Sequence, residues 1–176
     1  MSQRTLISIA GSPSDSSRST LLLNALILRL EAKGVSVRRF SLDSFDPRAL
    51  LRAQLDDPKN ARFIAEARSA EGIVLATPVY KAGYTGALKA IVDLLPPEAL
   101  QEKFGFGLAT AKSRAHLEAT AVSFSRLFAF FRVAHEIPAV TLLDDEVFDP
   151  RDHTRFSTGA ERLLDDRAQA ILRALG

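Results

Sequence analysis

Leu6-Ile7-Ser8-Ile9-Ala10 runs without a break into Gly11-Ser12-Pro13-Ser14-Asp15-Ser16-Ser17-Arg18-Ser19-Thr20, and Leu21-Leu22-Leu23 opens a helical pattern directly behind it. An apolar strand, a short polar turn and an amphipathic helix in that order form the opening βα unit of a parallel α/β sheet. The turn lies where the strand ends and the helix begins, so unpaired backbone N–H groups and the positive helix end both point at it. Six hydroxyls fall in the nine residues from Ser12 to Thr20, preceded by one glycine and joined by one arginine. Helix capping accounts for one or two hydroxyls; six make a candidate anion site. No Gly-Lys-Ser/Thr closes the turn and the dinucleotide glycine spacing is missing, which excludes both of those nucleotide loops. The turn fits a monophosphate.

The rest of the chain keeps the same alternation. A helix over 19–33, with Leu21, Leu22, Ala25, Leu26, Leu28 and Leu30 as its apolar face, closes at Gly34. Strand two is expected over 35–42, a short helix around 48–53, and a helix over 58–70 with Pro58 at its start. Gly72-Ile73-Val74-Leu75-Ala76 is an unbroken apolar run, as a strand buried on both faces requires. A loop over 77–84, a helix over 85–95 stopped by Pro96-Pro97, a strand over 104–109, a helix over 114–131 and a strand over 139–143 follow. A polar stretch over 144–156 leads to a last helix over 158–175. Five strands with intervening helices predict a doubly wound parallel sheet, whose ligands sit at the carboxyl ends of the strands.

The 176 residues, 47% hydrophobic and 25% charged, have ordinary globular composition and the length of one domain spanning 1–176. The net charge is +2 and no basic run interleaves with aromatics, which argues against a nucleic-acid partner. Cysteine is absent, which excludes disulfides, thiolate metal sites and thiol nucleophiles. Met1-Ser2-Gln3-Arg4-Thr5 enters a strand, and no apolar run approaches the ~20 residues of a membrane span. A soluble, cytoplasmic protein is expected, with no membrane partner.

Two further loops carry chemistry. Ala76-Thr77-Pro78-Val79-Tyr80-Lys81-Ala82-Gly83-Tyr84-Thr85-Gly86 is stiffened by proline, loosened by two glycines, and holds both tyrosines of the chain. Those tyrosines either meet a ligand or cap the core beside the next helix. Thr110-Ala111-Lys112-Ser113-Arg114-Ala115-His116 adds positive charge at a third strand end.

Gly11-Ser12-Pro13 with Ser17-Arg18-Ser19, then Thr77-Pro78-Val79-Tyr80-Lys81 with Gly83-Tyr84-Thr85-Gly86-Ala87-Leu88-Lys89, resembles the NADPH-dependent FMN reductase family. Asp93-Leu94-Leu95-Pro96 and Ala115-His116-Leu117 are similar to its branch from two-component alkanesulfonate monooxygenase systems, and the likeness runs to about Asp145. The resemblance implies a flavodoxin-like, five-stranded parallel sheet of order 2-1-3-4-5 with helices on both faces. It implies FMN as cofactor, NADPH or NADH as electron donor, a homodimer or homotetramer, and a flavin-dependent monooxygenase as partner. Carried over residue by residue, Ser12, Ser17, Arg18, Ser19 and Thr20 would hold the FMN phosphate. Pro78, Val79, Tyr80 and Lys81 would lie along the isoalloxazine edge, with Lys81 as a polarising charge. Thr110, Ser113 and Arg114 would border the far side of the ring and the nicotinamide entry. Ala111-Lys112 stands where that branch usually has Gly-Gly, and Ala121-Val122-Ser123 lacks a tyrosine that some members insert there. The first departure narrows the expected flavin site; the second bears on assembly.

The expected activity is NAD(P)H-dependent reduction of FMN, with the flavin supplying the chemistry and no protein acid or base in a dominant role. Two alternatives stay open: an FMN-retaining reductase of quinones, azo dyes or metal oxyanions, and a flavin-free module used in assembly or regulation. Phe104-Gly105-Phe106-Gly107 lacks a third glycine and lies within a strand, so it reads as packing. His116, His135 and His153 lie too far apart in sequence for a metal pair; His116 is expected at the cleft and the others on the surface. Asp144-Asp145-Glu146 reads as a solvated turn, and Ser14 and Ser16 lack the partners of a hydrolase. Phe124, Phe128, Phe130 and Phe131 on one helix exceed the needs of a single core face and wrap around the helix, so part of this surface is expected to pack against another subunit.

Overall fold

A computed structural model describes residues 4–14, 16–149 and 151–176. The readings that fall on Met1–Gln3, Asp15 and Pro150, and on the side chain of His153, lie outside the described residues. The chain runs β1 (Thr5–Ala10), α1 (Arg18–Glu31), β2 (Ser36–Phe40), α2 (Pro47–Leu51), α3 (Pro58–Ser69), β3 (Gly72–Tyr80), β4 (Gly83–Tyr84), α4 (Gly86–Val92), β5 (Phe104–Ala111), α5 (Arg114–Phe130), β6 (His135–Leu143), β7 (Phe148–Asp149), β8 (Asp152–Phe156) and α6 (Thr158–Ala174). The main sheet is ordered β2-β1-β3-β5-β6, all parallel, and β4 folds back antiparallel on the end of β3. Numbered as the five parallel strands alone, that is the expected order 2-1-3-4-5.

Alternation along the strands sorts the core into two layers. Ile7, Ile9, Ile73 and Leu75 face one layer with Phe63 of α3, Ile91 of α4 and Phe124 of α5. Leu6, Val74, Phe104, Phe106 and Leu108 face the other, against Leu22, Leu26 and Leu30 of α1 and Leu164 and Ile171 of α6. In β5 the pattern is extreme: phenylalanines point to α1 and α6 while Gly105 and Gly107 face α5. A Cβ on Gly105 would come within 2.7 Å of the Phe128 ring, and one on Gly107 within 2.4 Å of the Phe124 ring. The Gly-x-Gly is therefore a packing device, as its position within a strand implies.

That packing divides the aromatic helix. Phe124, Phe128 and Phe131 are buried in the core, and of the four only Phe130 is exposed, at 62%. The glycines of β5 make room for more aromatic volume than a single helix face normally buries.

Helix boundaries follow local chemistry. Ser17 caps α1 by accepting from the Thr20 N–H, and Asp57 caps α3 ahead of Pro58 at the first helical position. Lys103 donates to the carbonyls of Ala67 (2.8 Å) and Arg68 (2.7 Å), closing the far end of α3, and burial holds its ammonium below the usual lysine range. Arg29 of α1 reaches Asp165 (2.6 Å) and Glu161, clasping α6 to α1.

Three elements differ from the sequence reading. β3 runs four residues past Ala76 to Tyr80, because a hairpin partner, β4, pairs with its end. β6 starts at His135 and runs through Pro138, where Pro138 and Ala139 together oppose Gly107 in a bulge. The ladder tolerates proline there because β6 is an edge strand. The polar stretch beyond β6 contains the small hairpin β7–β8, its Phe148 and Phe156 rings stacked at 5.6 Å. At the opposite edge, β2 carries exposed Arg38 and Arg39.

Candidate functional site

Parallel register brings the three loops together. Ala10 pairs with Ala76, Pro78 with Thr110 and Ala111 with Leu143, so the chain leaves β1, β3, β5 and β6 at the same end of the sheet.

The first loop starts at Gly11, whose N–H donates to the Ala76 carbonyl at 2.8 Å. Its own carbonyl accepts from the buried Thr85 hydroxyl, which also caps α4 by accepting from the Leu88 N–H at 3.0 Å. The Thr85 N–H donates to the Thr77 hydroxyl oxygen at 3.1 Å. One knot thus ties the first loop, the end of β3 and the start of α4. A side chain at Gly11 would fill the knot: its Cβ would lie 2.5 Å from the Leu88 Cβ and 3.0 Å from the Ala76 oxygen.

Beyond Gly11 the hydroxyls converge. Ser12 Oγ accepts from the Ser14 N–H at 3.1 Å, and Ser17 Oγ lies 3.1 Å from Ser19 Oγ and 2.8 Å from Thr20 Oγ1. Ser12, Ser19 and Thr20 are buried at the head of α1, while Arg18 extends outward, 3.8 Å from Asp144. A cluster of hydroxyl donors, a helix N-terminus and one guanidinium is a donor set suited to a phosphate group.

The second loop is a two-residue hairpin. Val79 pairs with Tyr84 and Tyr80 with Gly83, leaving Lys81 and Ala82 to turn with φ of 52° and 64°. Positive φ at both central residues is the twist-matched hairpin geometry that normally selects asparagine or glycine. Here non-glycine residues bear it, while Gly83 and Gly86 have no positive φ. The tyrosines divide: Tyr84 stacks on Phe124 at 6.2 Å and so caps the core, whereas Tyr80 is 54% exposed.

In the third loop Thr110 and Ala111 are buried, and Lys112 is exposed. Neither Ala111 nor Lys112 has a positive φ, so this backbone needs no glycine at those positions. Ser113 is the N-cap residue of α5. Arg114 pairs with Glu146 and lines a cavity of about 500 Å³ with Leu142, Phe148, Ser157 and Leu163. The turn read as solvated is therefore engaged: Asp144 meets Arg18 and Glu146 meets Arg114. His116 and His135 are both exposed. Among the described residues there is no cluster of histidine and acidic side chains able to hold a metal ion, and no helix is long and apolar enough to cross a membrane.

Thr77, Thr85 and Asp144 tie the candidate site together, roles that the sequence reading did not give them. Thr85 had a visible signal, a hydroxyl residue immediately before a helix start. Asp144 had none, because its partner lies 126 positions earlier in the chain.

A parallel sheet ordered 2-1-3-4-5, with a hydroxyl loop at the end of its first strand, defines a flavodoxin-like α/β protein. The family model for NADPH-dependent FMN reductases matches residues 5–149. The chain belongs to that family. It is 35% identical over 170 residues to the FMN reductase (NADPH) of Escherichia coli K12, covering 97% of this chain and 89% of the relative. It is also 35% identical over 142 residues to the FMN reductase (NADPH) of Pseudomonas putida KT2440, covering 81% of this chain and 72% of the relative. Among solved structures, an NADH:FMN oxidoreductase in its apo form superposes with a TM-score of 0.84 at 28% identity, over 95% of this chain and 87% of that one.

Proposed function

We propose that this chain, working as one domain in the cytoplasm, reduces FMN with NAD(P)H and passes the reduced flavin to a partner monooxygenase. The observation that carries the reading is the convergence of hydroxyls, Arg18 and the α1 N-terminus beside the hairpin of β3 and β4. Ser12, Ser17, Arg18, Ser19 and Thr20 hold the FMN phosphate. Pro78, Val79, Tyr80 and Lys81 lie along the ring edge, and Thr110, Ser113 and Arg114 border the nicotinamide side. FMN held there would supply the redox chemistry with the nicotinamide nucleotide as electron donor. The protein supplies position: the Gly11–Thr85 knot holds phosphate loop and ring loop at a set separation, and the short hairpin presents Lys81 as an exposed positive charge. Ala111 completes β5 without strain and is buried in the core layer that holds Leu117 and Phe124, so this departure from Gly-Gly is absorbed by the fold.

Titration with FMN and riboflavin tests the phosphate assignment. Arg18→Ala removes a charge-assisted hydrogen bond worth ~1.5–3 kcal/mol, so FMN affinity falls roughly tenfold or more while riboflavin affinity holds. Equal losses for both flavins overturn it.

The assembly is a homodimer at least, built on α4 and α5. These helices enclose a groove of about 520 Å³ lined by Tyr84, Val92, Leu127 and Phe130, and exposed Phe130 stands at its rim as an apolar knob for a second copy. α5 is regular helix from Arg114 to Phe130, with no bulge around Ala121–Ser123. Light scattering at micromolar concentration is expected to give a dimer or larger for the parent and a monomer for Phe130→Glu. A monomeric parent removes this part of the proposal.

A further inference from the structure

We infer that Asp144 is an internal competitor for Arg18, a residue that sets FMN affinity by attracting the guanidinium the phosphate needs. The inference rests on the reading of the first loop as the phosphate site. Arg18 is the sole cation between Gly11 and Thr20. Its Nη1 lies 3.8 Å from the Asp144 Oδ2, with the carboxylate side chain only 25% exposed and the guanidinium 48%. The Asp144 N–H donates to the Ala111 carbonyl at 2.8 Å, which pins the residue where β5 and β6 end together. Two positions on, Glu146 does the same to the third loop: one oxygen accepts from Arg114 and the other from the Leu143 N–H at 2.9 Å. The acidic turn after β6 thus engages both arginines that the sequence places at this end of the sheet.

An anion built into the protein acts on an arriving phosphate in two ways. At 3.8 Å, beyond hydrogen-bond reach, it draws the Arg18 guanidinium by charge alone, and it places a like charge beside the incoming oxygens. A partly exposed ion pair adds little to folding stability, so the pair is better understood by its effect on ligand exchange. A reductase that gives up its reduced flavin needs a phosphate grip that releases. Asp144 supplies that release by taking Arg18 back as FMN departs.

Asp144→Asn keeps the shape of the side chain and removes its charge. The whole chain is titrated with FMN and with riboflavin by flavin fluorescence, and FMN dissociation is followed by stopped flow. FMN is expected to bind about threefold to tenfold more tightly and to leave more slowly by a similar factor, with riboflavin unchanged within about twofold. In an Arg18→Ala background the gain is expected to disappear, and the thermal midpoint of Asp144→Asn is expected to match the parent. Unchanged or weaker FMN binding, an equal gain for riboflavin, or a full gain without Arg18 each overturns the competitor role. If Arg18→Ala weakens FMN selectively while Asp144→Asn leaves it alone, the phosphate reading stands and only this role falls. If Arg18→Ala affects both flavins alike, the phosphate reading fails and takes the role with it.

Discussion

Gly11→Ala is expected to destabilise the protein by about 2–3 kcal/mol, lowering the thermal midpoint by roughly 4–12 °C, and to weaken FMN binding by more than tenfold. The added methyl has nowhere to go. Its carbon would sit 2.5 Å from the Leu88 Cβ and 3.0 Å from the Ala76 carbonyl oxygen, neither of which is the free end of a flexible side chain. Relief requires the loop to lift or α4 to retreat. Either movement strains the hydrogen bond from Thr85 to the Gly11 carbonyl and the one from the Gly11 N–H to Ala76. Those two bonds set the spacing between the hydroxyl cluster and the hairpin, so stability and ligand affinity should fall together. Gly83→Ala is the matching control: a Cβ there meets nothing within 4 Å and the backbone has no positive φ. Its stability should stay within ~0.5 kcal/mol of the parent. Chemical denaturation and FMN titration on both variants check the pair. A Gly11→Ala protein with parent stability and affinity would show that the knot does not set the site.

Gly107→Ala carries the second large effect, through the core. The new Cβ would meet three atoms of the Phe124 ring at 2.4–2.7 Å. That ring is fully buried and is the middle member of a stack, with Phe128 at 6.2 Å on one side and Tyr84 at 6.2 Å on the other. Overpacking of this kind costs about 1–3 kcal/mol, occasionally more. Displacement of Phe124 passes to Tyr84, the last residue of β4, so the ring-edge loop should loosen and FMN affinity should drop several-fold. A smaller side chain at position 124 tests the route. In the double variant Gly107→Ala/Phe124→Leu the two losses should add to less than their sum by more than ~0.5 kcal/mol, the signature of a shared contact. Strict additivity would mean that the methyl is absorbed elsewhere.

The parts of this protein that the sequence discloses are those written in local or periodic patterns. The Leu6–Ala10 run, the hydroxyl turn and the leucine-rich helix behind it lie within one stretch, and the parallel sheet follows from repetition of that unit. The hairpin of Tyr80–Gly83 stayed hidden because its turn places Lys81 and Ala82 where asparagine or glycine would announce it. The aromatic helix read as carrying more rings than one core face takes because the glycines that receive Phe124 and Phe128 sit one strand earlier, and nothing in the helix itself reports them. Pro138 obscured the start of β6 because tolerance of proline depends on a strand being at an edge, which is a property of topology. The acidic turn read as solvated because Arg18 and Asp144 meet only after five intervening strands have been laid down.

The two ends of the sheet order have a consequence for how the molecule behaves in a crowded cell. An open parallel sheet offers two rows of unpaired backbone groups to any passing strand, and slow-forming parallel pairings expose them for longer during synthesis. At one border the ladder is interrupted by Pro138, which has no N–H to offer and sits in a bulge; at the other, exposed Arg38 and the Arg39–Glu31 ion pair place charges that a second molecule would have to desolvate. Both borders are thus poor templates for another chain, which disfavours strand-to-strand fibres.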